Sequence, residues 1–126
     1  MKKTIPYYIL LMVLVSCSKD SKQSNDKELP VIQLTSPSNN QVYSGGQTAN
    51  ITATITDNNK LALVHVHIYN NGTGQLVMDI HRSPTGSSYS LNETLQVVAG
   101  TEYKIQVVAI DNSANQQIQT VLISAN

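Results

Sequence analysis

The residues of this chain best suited to chemistry are its three histidines, His65, His67 and His81, and the nearby carboxylate of Asp79. His65 and His67 are two residues apart, so on a β-strand their side chains point to the same face. Imidazole nitrogens and a carboxylate oxygen are ligands that zinc and copper accept. If the four side chains meet, we expect a zinc or copper site. The alternative is a set of ordinary polar residues on a solvated sheet face, with a pair between His65 and Asp79.

Whether these side chains meet depends on the register of a hairpin around residues 70–74, Asn-Asn-Gly-Thr-Gly, a turn sequence that supplies positive φ. The apolar alternation on either side predicts two inward-facing pairs, Ile68–Leu76 and Val66–Met78. In that register His65 lies opposite Asp79 and diagonal to His81, and all the candidate ligands share the outward face. A slip of one residue would turn His81 to the opposite face.

Oxygen ligands for calcium are a second possibility, at Asp57 and Asp111. Each of these residues ends a predicted strand at a loop rich in asparagine. Calcium sites in extracellular β-domains use such carboxylate and amide oxygens. Because acidic residues are few and no ligand spacing is recognisable, the alternative is that Asp57 and Asp111 cap turns.

The elements that must position these residues are short apolar alternations separated by turn residues, from Leu29 onwards. Residues 50–57 alternate most clearly, with isoleucine and alanine inward and threonine outward, and their β-branched content favours a strand. Leu61 is expected to plug one end of the core. Seven or eight such segments, without a helical period between residues 29 and 126, predict a single all-β sandwich.

Three stretches resemble bacterial Ig-like domains: PVIQLTSP at residues 30–37, ITATITD at 51–57, and GTEY running into VVAIDN at 100–112. The resemblance implies an Ig-like or fibronectin III-like sandwich of about seven strands over residues 29–126. It places Tyr103 at the tyrosine corner, near the start of strand F. Asp111 begins a turn, DNSAN, that resembles Asp-x-x-Gly-Asn, with Ala114 where glycine is usual.

The only cysteine, Cys17, ends an apolar run that begins after Lys2 and Lys3. The residues before it are Leu14, Val15 and Ser16. This order resembles the lipobox of bacterial lipoproteins. The resemblance implies that residues 1–16 are a cleaved signal peptide and that Cys17 receives lipid. The run of eleven apolar residues is too short for a membrane-spanning helix, which needs about 20.

After Cys17, residues 18–28 are polar and predict a flexible tether, so that residues 17–28 link the lipid to the domain. The sequence Cys-Ser-Lys-Asp resembles the start of Bacteroidetes-type outer-membrane lipoproteins, in which a short charged stretch can direct export to the cell surface. The resemblance implies a lipid-anchored protein of the outer membrane, exposed at the surface.

Composition narrows the function further. Eight basic residues balance eight acidic ones, which gives no reason to expect nucleic acid as a partner. A single cysteine excludes an intramolecular disulfide. No serine nucleophile at a recognisable elbow and no paired carboxylates stand out, so we expect no enzyme.

We therefore expect a non-catalytic binding or interaction module, an accessory subunit of a surface complex, anchored to the membrane by lipid. Glycan binding in a polysaccharide-uptake system is the first alternative, and an exposed tyrosine cluster would favour it. Metal binding through His65, His67 and His81 is the second, and a register that places them on one face would favour it.

Overall fold

The computed structural model describes residues 25–126, which form eight β-strands. The strands are β1 (Val31–Ser36), β2 (Gln41–Tyr43), β3 (Thr48–Thr56), β4 (Leu61–Asn70), β5 (Leu76–Arg82), β6 (Ser88–Gln96), β7 (Glu102–Asp111) and β8 (Gln116–Ala125). Within this range there is no helix with the length and apolar character to cross a membrane.

The strands form two sheets, one with the order β1-β3-β6 and one with the order β2-β8-β7-β4-β5. Neighbouring strands are antiparallel, except that the three-residue β2 runs parallel to β8. This arrangement confirms the predicted all-β sandwich. It has eight strands, within the predicted seven or eight, and the shortest, β2, lies on the edge of the larger sheet.

The core lies between the two sheets and is filled by aliphatic side chains from both. Ile51 and Ile55 of β3 are fully buried, as are Val66 and Ile68 of β4. These are the positions that the period-two alternation assigns to the inside. Leu61 is also fully buried, as predicted for a residue that plugs one end of the core. Burial at about 25 cal/mol per Å² of apolar surface is thus the main stabilising term in a domain without a disulfide.

The sandwich has two ends with different loops. The proximal end, where the chain enters the domain, is formed by residues 57–60, 83–87 and 112–115. The distal end is formed by residues 44–47, 71–75 and 97–101. Backbone hydrogen bonds join the loops at each end, from Leu61 N–H to Gly86 at 3.0 Å and from Gly46 N–H to Val97 at 2.8 Å.

The described part of the predicted tether, residues 25–28, has no regular secondary structure but lies against the proximal end. The Asp26 carbonyl oxygen accepts a hydrogen bond from Asn115 Nδ2 at 3.0 Å. The Asp26 carboxylate accepts one from Asn58 Nδ2 at 3.1 Å. Two loop asparagines therefore hold the chain against the domain at Asp26. This residue precedes Leu29, where the composition places the start of the domain.

Candidate functional site

The β4–β5 hairpin brings all three histidines and Asp79 to the outer face of the five-stranded sheet. His65 lies directly opposite His81, and His67 lies directly opposite Asp79. Directly opposed residues of antiparallel strands project to the same face. The four candidate ligands therefore share one surface, while the alternate residues of β4 fill the core.

The predicted register of this hairpin is wrong by two residues, because Ile68 pairs with Met78 and not with Leu76. The turn is one residue longer than expected, since Asn70 N–H bonds to the Gln75 carbonyl at 2.8 Å. A bulge then leaves Val77 without an opposing residue. Each irregularity shifts the register by one residue, so together they return His81 to the predicted face.

The predicted inward position of Leu76 is wrong for the same reason. Leu76 pairs with Tyr69 on the outward face and is 45% exposed. Because the bulge lies between them, Leu76 and Met78 no longer share a face, and Met78 packs against the core. The predicted pair between His65 and Asp79 is also replaced, since Asp79 lies opposite His67.

The three imidazole rings pack against one another. The centroids of His65 and His81 are 4.2 Å apart, with the ring planes at 49°. His67 lies 5.7 Å from His65 and 6.4 Å from His81. One nitrogen from each ring lies within 4.8 Å of the other two. Since nitrogens on a tetrahedral zinc ion are roughly 3.3 Å apart, small side-chain rotations would bring all three to one ion.

Asp79 links two of these rings through one carboxylate oxygen. Its Oδ1 lies 2.8 Å from Nε2 of His81 and 3.3 Å from Nε2 of His67. The hydrogen bond from His81 lowers the pKa of the Asp79 carboxyl below its ordinary value. Asp79 is therefore an anion at neutral pH and lies next to two rings of the histidine cluster.

His65 carries a nitrogen that makes no hydrogen bond. Its Nε2 is buried and has no hydrogen-bond partner among the described residues. On the side of β7, His65 lies opposite Val108. The Val108 side chain belongs to the outer face but is only 6% exposed. Burial of the ring lowers the pKa of His65, and the neighbouring His81 and His67 lower it further. A neutral imidazole is the form that binds a metal.

The two aspartates predicted as calcium ligands, Asp57 and Asp111, meet at the proximal end. Asp26 joins them, with one carboxylate oxygen of each within 4.8 Å of the others. The buried Asp111 carboxylate accepts hydrogen bonds from the backbone of Ser113 and from the backbone and side chain of Asn115, at 2.7 to 2.8 Å. Asp111 therefore caps its turn, as the alternative required, and calcium binding stays a prediction. Asp26 carries no sequence signal because it lies in a polar segment without periodicity.

Tyr103, near the start of β7, is 3% exposed, and its hydroxyl accepts a hydrogen bond from Val98 N–H at 3.0 Å. Val98 lies five residues upstream, which is the arrangement of a tyrosine corner. At the other end of β7, Ala114 has a φ of 66°, the left-handed conformation that glycine favours. The turn after Asp111 thus has a glycine-like backbone without the glycine.

The tyrosines outside the core, which would have to form the exposed cluster that favours glycan binding, do not form one surface. Tyr43, Tyr69 and Tyr89 are each partly buried and belong to β2, β4 and β6, with β6 in the other sheet. Lys104 Nζ lies 4.8 Å from the centroid of the Tyr69 ring and covers it. Within residues 25–126, the arrangement that would favour glycan binding is therefore not found.

The lipobox residues Leu14, Val15 and Ser16, and Cys17 itself, lie outside the described residues. Lipidation of Cys17 stays a prediction of the sequence. The same holds for the signal peptide that ends at residue 16.

Two sheets packed over one aliphatic core, with a tyrosine hydrogen-bonded back to the preceding loop, define an immunoglobulin-like sandwich domain. A family profile described as Bacterial Ig domain matches residues 30–107. The chain therefore belongs to the bacterial Ig domain family.

Solved structures with the same fold include the fibronectin(III)-like modules of CbhA from Clostridium thermocellum. That match has 24% identity and a TM-score of 0.52, and covers 78% of this chain and 47% of the other. This chain thus spans about half the length of that structure.

Two further structures are similar at lower identity. A superoxide reductase (neelaredoxin) from Ignicoccus hospitalis has 10% identity and a TM-score of 0.56, with 79% of this chain and 81% of the other covered. The CARDB domain of a Pyrococcus furiosus protein, in complex with di-metal ions, has 16% identity and a TM-score of 0.51, with 83% and 97% covered. These identities show a common fold alone. No curated protein sequence matches the chain.

Proposed function

We propose that this chain is a lipid-anchored protein of the bacterial cell envelope whose Ig-like domain binds a partner protein without catalysing a reaction, as an accessory subunit of a surface complex. Membership of the bacterial Ig domain family carries the proposal, because such domains are typically extracellular or surface domains. The lipobox supplies the anchor at Cys17. Acyl chains on both its sulfur and its amine give stable attachment, which one chain alone would not.

The orientation of the domain relative to the membrane supports this role. Asp26 fastens the incoming chain to the proximal end, so the membrane lies on that side of the domain if Cys17 carries lipid. The distal end faces away from the membrane and is accessible to a partner.

The distal end carries a surface groove of about 660 Å³ between residues 44–46 and 96–99. Val98 is 62% exposed there. The backbone at the base of the groove is closely packed around Gly45. A Cβ on Gly45 would lie 2.5 Å from Ala99 Cβ, and the Gly45 N–H donates a hydrogen bond to the Asn126 carbonyl oxygen at 2.8 Å. Among residues 25–126, the side chains that line the groove include no acid, base or thiol, which supports recognition rather than catalysis.

The anchor is tested by fatty-acid labelling in the bacterium that makes the protein. The full chain should incorporate labelled palmitate and sediment with membranes. Cys17→Ala should lose the label and leave the membrane fraction, whereas the control Ser18→Ala should behave as the parent. Palmitate incorporation that survives Cys17→Ala would refute the lipobox interpretation.

The partner is tested by photo-crosslinking in cells. A photoreactive amino acid at Val98, in the distal groove, should capture one abundant protein, and the same residue at Asn58, on the proximal end, should not. Capture of the same protein from both positions would refute recognition through the distal end. No captured protein from Val98 would refute the accessory-subunit proposal and lead to glycan titrations.

A further inference from the structure

We propose that the outer face of the β4–β5 hairpin binds a divalent transition-metal ion, zinc or copper. The ligands are one ring nitrogen each of His65, His67 and His81 and a carboxylate oxygen of Asp79. The site lies on a different surface from the distal groove and does not depend on the proposed binding role.

Two of the distances between the proposed ligand atoms are already close to the spacing that a metal requires. In a tetrahedral zinc site with bonds of about 2.0 to 2.2 Å, neighbouring ligand atoms are roughly 3.3 Å apart. Asp79 Oδ1 lies 3.3 Å from His67 Nε2 and 2.8 Å from His81 Nε2. An ion would take the place of these hydrogen bonds with little movement of the strands.

The fourth proposed ligand is His65, and the surroundings of its Nε2 atom independently support coordination. A buried polar atom without a partner is disfavoured, and native proteins rarely leave one. Nε2 of His65 is such an atom. The His65 ring lies 4.2 Å from that of His81, so coordination would satisfy this nitrogen from within the same cluster.

The donor set selects the kind of ion. Three imidazole nitrogens suit zinc and copper, whereas calcium and magnesium take oxygen ligands. The single carboxylate of Asp79 offsets one of the two positive charges of the ion. Because β5 is an edge strand that pairs with β4 alone among the strands of residues 25–126, an ion held by two residues from each strand would clamp this edge. Binding to the folded state alone raises stability by mass action.

Calorimetric titration of the full chain with Zn²⁺ and with Cu²⁺ tests the proposal. The protein is held in detergent micelles without a polyhistidine tag, and Cys17→Ala removes the only thiol. We expect one ion per chain with a dissociation constant of about 10 μM or tighter, together with a higher melting temperature. All three histidines of the chain belong to the site, so histidine NMR signals should shift together on saturation.

Matched variants separate this site from the acidic cluster at the proximal end. The His81 side chain is 57% exposed, so His81→Ala should keep the fold and weaken binding by about tenfold or more. Asp79→Asn should also weaken binding, whereas Asp57→Asn should bind as the parent. A circular dichroism melt confirms folding of each variant, and His81→Gln replaces His81→Ala if the latter unfolds. The proposal is overturned if neither ion shows saturable binding, or if Asp57→Asn loses the ion while the His81 variant keeps it.

Discussion

His65 and His81 face each other across β4 and β5 with their ring centroids 4.2 Å apart. This contact exists because the longer turn at Asn70 and the bulge at Val77 each move the register by one residue in the same direction. With only one of the two, His81 would point into the core. The histidine cluster is thus a product of the hairpin's irregularities.

Replacing His65 with leucine should stabilise the metal-free protein by about 1 kcal/mol, because it removes a buried nitrogen that has no partner. His81→Leu changes an exposed side chain and should shift stability by less than about 0.5 kcal/mol. Urea denaturation with a chelator present measures both. A loss of stability in His65→Leu would contradict this prediction, because the favourable contacts of the ring would then outweigh the cost of its unpartnered nitrogen.

The pH dependence of stability should report on His65 as well. Burial lowers the pKa of His65 below 6.5 in the folded state, so the unfolded chain takes up a proton first as the pH falls. The free energy of unfolding of the metal-free protein should therefore decrease as the pH falls through 6.5, until the folded pKa is reached.

The groups that face His65 set the control for this measurement. His67 and His81 oppose protonation of His65, whereas Asp79 favours it. Because the pKa of Asp79 is lowered in the folded state, protonation of Asp79 reduces the free energy of unfolding only below pH 3.8. Urea denaturation between about pH 8 and pH 5 should show a smaller decline in His65→Leu than in the parent. Identical pH profiles for the two proteins would contradict the assignment to His65.

Tyr103→Phe should lower the free energy of unfolding by about 1 kcal/mol, because the N–H of Val98 loses the hydroxyl that accepts its hydrogen bond. Tyr69→Phe is the matched control, since the contact of its ring with Lys104 does not require the hydroxyl. Chemical denaturation compares the two. Equal effects would mean that the corner hydrogen bond contributes nothing of its own.

Ala114→Gly should stabilise the domain by about 0.5 to 1 kcal/mol, because a φ of 66° strains an alanine and suits a glycine. Ala53→Gly, in the interior of β3, should destabilise by at least a similar amount, since glycine weakens a strand there. The opposite signs of the two changes, read from thermal melts, distinguish relief of backbone strain from a general effect of glycine. Destabilisation by Ala114→Gly would contradict this account of the turn.

The sequence determined the class of fold and most of the core, with Leu76 as an exception. Alternation in residues 50–57 placed Ile51 and Ile55 inside, and both are fully buried. The same alternation put His65 and His67 on the outer face, because the side-chain period of a strand is fixed by local geometry. The tyrosine corner could also be located from the resemblance, since its partner Val98 is only five residues away.

The tertiary structure alone decided which side chains meet. Composition does not specify how many residues close a turn or where a bulge forms, so the pairs His65–His81 and His67–Asp79 could not be read from the chain. Asp26 lies next to Asp57 and Asp111 only because separate loops converge at the proximal end. Local sequence specifies the direction in which a side chain points, whereas distances between segments depend on registers and loop paths that the packing of the whole sandwich selects.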